Sequence, residues 1–228
     1  MLVDINHEQL PLALNLNEVY QFDNFYFTNA EIKHTLENFD IPFVYLWGSH
    51  ASGKSHLLMA VVENSQQRAH YLPLAYLVAH SSPNILASFD ALDLLCIDEL
   101  DAVADLPDWQ EALFHCFNRL QHSGCQLLVA AQHAPVELGL LLADLKSRMA
   151  TGLTYQLESL NDEDKQRALA LQAQARGLDL PSDVALHLLR HQSRDMVILM
   201  QILQSLDKAS MATQRRLTIP FVRKVLHG

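Results

Sequence analysis

Residues 48–55 read GSHASGKS, which places two glycines, a lysine and a serine at the spacing G-x-x-x-x-G-K-[ST]. This spacing is typical of a phosphate-binding loop, in which backbone amides and a helix N-terminus converge on phosphate oxygens. Gly48 and Gly53 would permit the tight turn, Lys54 would bridge the β- and γ-phosphates, and Ser55 would be a ligand of Mg²⁺. The alternative is a chance match, which a strand before the motif and a helix after it argue against.

The remaining residues of this loop are also candidates for contacts with the nucleotide. They are Ser49, His50, Ala51, Ser52 and His56. For the two histidines, surface exposure and helix packing are the simpler interpretation.

A second acidic position follows the run LLCIDE at residues 94–99. Four apolar residues predict a buried strand, and carboxylates at its end would lie beside the phosphate loop. Asp98 would hold Mg²⁺ through water, and Glu99 would polarise an attacking water. The alternative for Glu99 is a solvated carboxylate at a strand end. The pair favours ATPase chemistry over a kinase that acts on a small molecule.

Two arginines complete the set of candidate residues. Arg148 lies in DLKSRMA, between the fourth and fifth predicted strands, where its side chain would project from the surface. Arg194 would open a long helix, where a cation opposes the helix dipole unless a phosphate lies nearby. The alternatives are a surface salt bridge for Arg148 and an ordinary exposed side chain for Arg194.

Short apolar runs that alternate with helical patterns would position these residues. Strands are predicted at 41–47, 70–77, 92–98, 125–131 and 153–160, with helices at 54–67 and 108–122. Continuous apolar strands between helices predict an α/β fold, a parallel sheet covered by helices on both faces. From residue 161 only helical patterns follow, at 161–177, 181–191, 193–213 and 219–227. A small helical domain is therefore expected after residue 160.

Composition and charge exclude several classes of protein. The 228 residues carry a net charge of −10, which disfavours non-specific binding to DNA or anionic membranes. Residues 1–150 hold 6 basic and 18 acidic side chains, whereas residues 151–228 hold 10 and 8. Cys96, Cys116 and Cys125 lie in apolar runs, so buried thiols are expected rather than metal ligands. A signal peptide and a membrane span are not expected, which favours the cytoplasm.

The order of these motifs resembles AAA+ ATPases, specifically the bacterial initiator DnaA and its shorter relatives of the Hda family. The resemblance covers nearly the whole chain. It rests on FDNF (22–25), GSHASGKSHL (48–57), LLCIDEL (94–100), FNRL (117–120), LLVAAQHAP (127–135), DLKSRM (144–149) and LTIPFVRKVL (217–226). It implies an AAA+ P-loop module over residues 19–160 and an all-helical lid over 161–228.

The resemblance also implies roles for individual residues. Phe22, Asp23 and Phe25 would flank the adenine. Arg148 would be an arginine finger that enters the nucleotide site of a neighbouring subunit, and Arg194 a lid sensor that contacts nucleotide in cis. Gln132 stands where the family often has aspartate at the end of the fourth strand. An activator of another protein's ATP hydrolysis is implied more than an efficient ATPase.

The Hda resemblance implies a regulatory inactivator of DnaA that binds ADP or ATP with Mg²⁺. Its partners would be ATP-bound DnaA and the DNA polymerase sliding clamp (β subunit). DNA contact would be indirect, because no helix-turn-helix is expected after the lid, and either a monomer or a homodimer is compatible. The alternative is a DnaC-like AAA+ ATPase helicase loader or remodeller, which intact Asp98 and Glu99 favour. A DNA-binding initiator fragment is disfavoured by the acidity.

The apolar stretch HEQLPLALNL at residues 7–16 is a candidate partner-binding segment. Acidity argues against a signal peptide, proline confines a strand to a sheet edge, and a disordered tail should hold fewer leucines. An extended peptide whose alternate side chains enter pockets is the remaining interpretation. Gln9, Leu10, Leu12 and Leu14 resemble the QLxLxL clamp-binding motif of Hda proteins. Residues 1–18 would then tether the module to the clamp.

Overall fold

The computed structural model describes residues 20–89, 91–213 and 216–227. A five-stranded parallel sheet of order β2-β3-β4-β1-β5 forms its centre. The strands are β1 (Phe43–Trp47), β2 (Ala69–Pro73), β3 (Leu94–Asp98), β4 (Gln126–Ala131) and β5 (Leu153–Gln156). The predicted α/β fold with a parallel sheet is confirmed.

Nine helices are seen in the described residues, together with three short 3₁₀ turns. They are α1 (Ala30–Asn38), α2 (Lys54–Asn64), α3 (Leu74–His80), α4 (Pro107–His122), α5 (Ala143–Met149), α6 (Asp162–Ala175), α7 (Ser182–His191), α8 (Met196–Thr213) and α9 (Ile219–His227). The last four follow the sheet and form the helical lid.

Alternation of side chains along the strands builds a separate core on each face of the sheet. In β1, Phe43 and Tyr45 face the cluster that contains residues of α3, α4 and α5. Val44 and Leu46 face the opposite cluster, which contains residues of α1 and α2. Burial on both faces explains why these strands read as continuous apolar runs rather than as alternating ones.

The lid has a core of its own. Leu169, Leu188, Leu199 and Val222, from α6, α7, α8 and α9 respectively, pack in one buried cluster. None of these side chains belongs to the two clusters of the sheet. The lid therefore has a hydrophobic core separate from those of the sheet domain.

Two sequence predictions of secondary structure are wrong in their bounds. The sequence pattern predicts one strand at 70–77, but β2 ends at Pro73 and residues 74–80 form α3. A short apolar run cannot by itself separate a strand from a helix, and Leu74 and Leu77 are buried at helical spacing. The strand predicted at 153–160 ends at Gln156.

All three cysteines are buried and free, as the sequence predicts. Burial raises the pKa of the Cys125 thiol to about 11 and that of Cys96 above its ordinary value. Within the described ranges, helices long and apolar enough to cross a bilayer are not found.

Candidate functional site

The phosphate loop follows strand β1, which lies between β4 and β5, at the carboxyl edge of the sheet, where ligands bind in open α/β folds. Its start is held by neighbouring strands: the Gly48 amide donates to Ala131 O at 3.3 Å, and the Leu157 amide donates to Trp47 O at 2.7 Å. A Cβ at Gly48 would lie 2.5 Å from Leu157 O, so only glycine fits between these chains. The loop geometry therefore depends on packing that the motif spacing alone does not reveal.

Gly53 ends the loop and caps helix α2. Its φ of 92° lies in the left-handed region, and a Cβ there would meet Phe25 Cε2 at 2.5 Å. Phe25 itself packs with its ring centroid 4.7 Å from Phe27 and 5.4 Å from His56. The segment before α1 is thus packed directly on the phosphate loop.

Lys54 is the cation of the loop. Its Nζ donates to Gly48 O at 2.7 Å, to Ser49 O at 2.8 Å and to Ser52 Oγ at 3.3 Å. Burial lowers the pKa of Lys54, and the nearby carboxylates, Asp98 first, oppose that shift. The ammonium is held at the centre of the loop, where anionic oxygens would be favoured.

Asp98 and Glu99 follow β3 at the same edge. Asp98 is 1% exposed, and its Oδ1 accepts the Glu99 amide at 2.8 Å. Glu99 has a φ of 58°, an uncommon conformation for a residue with a side chain, and it lines the cleft. Burial, and next the charge of Asp98, raise the pKa of Glu99. A carboxyl with a raised pKa beside a phosphate loop suits the general-base role predicted from the sequence.

Asp101 is a site residue that sequence reasoning missed. Its Oδ2 accepts the Gln132 amide at 2.6 Å, and its Oδ1 lies 2.8 Å from His133 Nδ1. The buried Tyr45 hydroxyl donates to His133 O at 3.0 Å. Asp101 thereby ties the end of β3 to the end of β4 and positions Gln132 at the cleft. The sequence shows Asp101 only as a third carboxylate in IDELD (97–101). Its partner Gln132 lies 31 residues away in sequence, so the local pattern does not reveal the contact.

These elements enclose a cleft of about 720 Å³ between the sheet edge and the lid. Part of the lining is aromatic and apolar, which suits a planar base. That lining includes Tyr20, Phe25, Phe27, Met196, Val197 and Met200. The lid residues among them were not predicted, since the sequence pattern shows helices but not which faces turn toward the loop.

Polar contacts tie residues 20–27 to the lid. Tyr26 Oη donates to Asp164 Oδ1 at 2.9 Å, and Arg167 Nη1 donates to Tyr26 Oη at 3.0 Å. The buried side chain of Gln172 donates to Asn24 O at 2.7 Å. The segment that packs on the phosphate loop is therefore also the connection to helix α6.

Most of the predicted nucleotide residues line this cleft. They are Phe25, His50, Ala51, Ser52, Gly53, Lys54, Ser55, His56 and Gln132, together with Asp98 and Glu99. Gly48 and Ser49 lie behind the lining and shape the loop. Phe22 is a core residue, 7% exposed, and Asp23 points outward with Lys33 Nζ 4.0 Å away. Neither side chain lines the cleft, so the adenine contact predicted for these two is not supported by the geometry.

The two predicted arginines lie outside the cleft lining. Helix α8 begins at Met196, so the prediction that Arg194 opens this helix is wrong by two residues. Arg194 Nη2 pairs with Asp162 Oδ2 at 3.3 Å. Contact between Arg194 and a nucleotide in cis stays a prediction. Gln9, Leu10, Leu12 and Leu14 lie outside the described residues.

The donor set fits a magnesium nucleotide. The 11-residue helix α2 directs its N-terminus at the loop, and Lys54 supplies a cation among hydrogen-bond acceptors. Ser55 and the buried Asp98 would hold Mg²⁺, which prefers hydroxyl, carboxylate and water oxygens. Bound Mg²⁺ would neutralise phosphate charge at this edge of the sheet.

A parallel sheet of this order, with a phosphate loop after β1 and a helical lid, is the architecture of AAA+ ATPases. A similar fold occurs in domain III of the Thermotoga maritima replication initiation protein DnaA, with a TM-score of 0.73 and 22% identity over 91% of this chain and 95% of that one. AMPPCP-bound DnaA from Aquifex aeolicus is similar at a TM-score of 0.67, with 22% identity over 86% of this chain and 67% of that one.

Sequence comparison identifies the family within that class. The model of the bacterial DnaA ATPase domain matches residues 16–156, and that of the Hda lid domain matches residues 162–226. A Haemophilus influenzae protein is 38% identical over 97% of this chain and 99% of its own length. The chain belongs to the bacterial DnaA ATPase family and carries a lid of the Hda type, as the sequence resemblance indicates.

Proposed function

We propose that this protein binds an adenine nucleotide with Mg²⁺, docks on the DNA-loaded sliding clamp and stimulates hydrolysis of ATP held by DnaA. Family membership supports a DnaA-related regulator. The observation that carries the proposal is the place of Arg148, outside the cleft formed by its own phosphate loop. A guanidinium there suits action on the nucleotide of a neighbouring molecule, where an arginine finger stabilises transition-state charge.

Helix α5 holds Arg148 in a defined position. Leu145 and Met149 are 1% and 2% exposed and anchor the helix to the sheet domain. Arg148 lies in the last turn and is half-buried. Among the described residues its guanidinium has no hydrogen-bond or ion-pair partner. An arginine with its donors unused is suited to bidentate recognition of phosphate oxygens.

The loop before α5 is tied to a buried side chain, and it carries exposed apolar side chains. Gln110 is fully buried, and its side-chain oxygen accepts the amides of Leu141 and Leu142 at 2.8 Å each. Val136 and Leu141 are 71% and 64% exposed. Exposed apolar side chains in the loop that leads into the Arg148 helix suit contact with a partner protein.

The chain's own nucleotide would act on shape rather than fuel turnover. ADP or ATP in the cleft would lie between the phosphate loop and the lid helices α6 and α8, which both contribute to its lining. Differential binding to one arrangement of the lid shifts the population toward it. The proposal therefore assigns the bound nucleotide a regulatory role.

The clamp contact would be made by residues 1–18. Gln9, Leu10, Leu12 and Leu14 would enter a pocket on the clamp as an extended peptide. The described fold begins at Tyr20, whose ring centroid lies 5.4 Å from His56 on α2. The tether would thus enter the AAA+ module beside the phosphate loop.

A second candidate is an ATPase of the helicase-loader or remodeller kind. Lys54, Asp98 and Glu99 all line the cleft, so the groups needed for hydrolysis in cis are present. Steady-state ATP turnover by the protein alone, abolished in Glu99→Gln, would favour this candidate.

Retention on immobilised partners tests the proposed function. Sliding clamp and DnaA are immobilised separately, DnaA in its ATP and ADP forms, and the protein is applied with ADP or ATP. We expect retention on the clamp, and on ATP-bound DnaA more than on ADP-bound DnaA. Absence of retention on both partners would contradict the proposal.

A further inference from the structure

Tyr71 places a hydroxyl beside the carboxylate that would hold magnesium. It lies in β2, whose parallel register pairs Tyr71 with Cys96 and Pro73 with Asp98. The side chain runs along the sheet, and its Oη donates to Asp98 Oδ2 at 2.8 Å. This donor comes from a strand that carries none of the residues predicted to bind the nucleotide.

Asp98 is held from two sides by these contacts. Its Oδ1 accepts the Glu99 amide at 2.8 Å, and its Oδ2 accepts the Tyr71 hydroxyl. The side chain is 1% exposed, so solvent does little to orient it. A carboxylate oxygen can accept more than one hydrogen bond, so both oxygens of Asp98 could also accept a hydrogen bond from metal-bound water.

The ring of Tyr71 is half-buried and packs on the apolar cluster that includes residues of α2. This packing holds the ring in place, and its hydroxyl reaches Asp98 Oδ2.

We infer that Tyr71 is a positioning residue for magnesium, which orients Asp98 through its hydroxyl. The inference rests on the proposed nucleotide binding and adds to it a residue that does not contact the nucleotide. Groups that orient metal ligands through hydrogen bonds change metal affinity by about 10–100-fold when they are removed. Packing alone does not need the hydroxyl, because phenylalanine would fill the same apolar space against α2.

Tyr71→Phe removes this hydroxyl and tests the inference. Binding of fluorescent ADP is measured first in EDTA and then during titration with Mg²⁺. We expect affinity in EDTA within about twofold of the wild type, because the phosphate contacts of Lys54 and the loop remain. The Mg²⁺ concentration for half-maximal tightening should rise about tenfold.

Tyr45→Phe is the matched control. It also removes a buried tyrosine hydroxyl, but that hydroxyl donates to His133 O rather than to a metal ligand. It should leave the Mg²⁺ requirement unchanged. An unaltered Mg²⁺ requirement in Tyr71→Phe, or an equal rise in both variants, would overturn the inference while nucleotide binding stands. Failure of the wild type to bind ADP at all would overturn the proposed nucleotide binding and this inference with it.

Discussion

The side-chain oxygen of Gln110 accepts the backbone amide of Leu141 at 2.8 Å, across 31 residues of sequence. The same oxygen accepts the Leu142 amide, and the side-chain nitrogen donates to Val103 O and Ala104 O. A single buried side chain thus satisfies four backbone groups. Gln110→Leu should cost about 2–4 kcal/mol of unfolding free energy, because buried polar groups lose their partners. Urea unfolding measures this.

Gln121→Ala on the same helix is the control for Gln110→Leu. Gln121 is exposed, so its removal should change stability by less than about 0.5 kcal/mol. Hydrogen exchange of the backbone amides should become faster over residues 138–145 in Gln110→Leu. That result would show that the lost stability comes from the loop before α5. Equal stability of the two variants would show that the buried contacts contribute nothing.

Gly53→Ala should disable nucleotide binding. Gly53 and Gly124 both have left-handed φ values, 92° and 77°, so alanine costs about 1–2 kcal/mol of backbone strain at either position. Only at Gly53 does the added Cβ meet a neighbour, Phe25 Cε2 at 2.5 Å. Titration with fluorescent ADP should show at least about a tenfold loss for Gly53→Ala, since a misplaced loop forfeits phosphate hydrogen bonds. Gly124→Ala should bind like the wild type, and equal losses would refute the account of Phe25.

Glu99→Gln should stabilise the protein near neutral pH. Burial raises the pKa of Glu99 in the folded state, so the folded protein holds this proton more tightly than the unfolded chain does. Stability therefore falls as the pH rises from the ordinary glutamate pKa of about 4.3 through the raised value. Glutamine does not ionise, so Glu99→Gln does not lose stability in this way as the pH rises. Its Tm should exceed that of the wild type at pH 7, and the difference should shrink below about pH 4. Glu137→Gln, which removes the same charge from an exposed position, is the control.

Gln9→Ala combined with Leu12→Ala should abolish clamp binding. The glutamine and the alternate leucines would supply the side chains that enter the clamp pocket. Surface plasmon resonance on immobilised clamp measures the loss, and fluorescent ADP should bind as before. Asn15→Ala, outside the motif, is the control. Wild-type clamp affinity in the double variant would return this stretch to a structural role.

Much of the sheet and the phosphate loop could be predicted because local sequence determines them. The spacing of Gly48, Gly53, Lys54 and Ser55 is specific, and β3 is continuously apolar up to Asp98. The error at residues 74–80 arose because β2 passes directly into α3 at Pro73, and apolar content does not separate the two.

The missed residues share a different cause. Tyr71, Asp101 and Gln172 act through partners that lie 27, 31 and 148 residues away in sequence. Such contacts depend on strand order and lid placement, which no local pattern specifies. The start of α8 after Arg194 has a local cause instead, because the Asp195 side chain accepts the amides of Val197 and Ile198 and so caps the helix.

Hydrolysis of ATP bound to DnaA, in the presence of clamp-loaded DNA, tests the central claim most directly. The wild-type protein should accelerate conversion of DnaA-bound ATP to ADP. Arg148→Ala should lose that acceleration by about 10³-fold or to background, since an arginine finger contributes about 10³–10⁵. It should still bind ADP and the clamp, and Arg190→Ala, which removes an exposed lid arginine, should remain active. Full stimulation by Arg148→Ala would contradict the account.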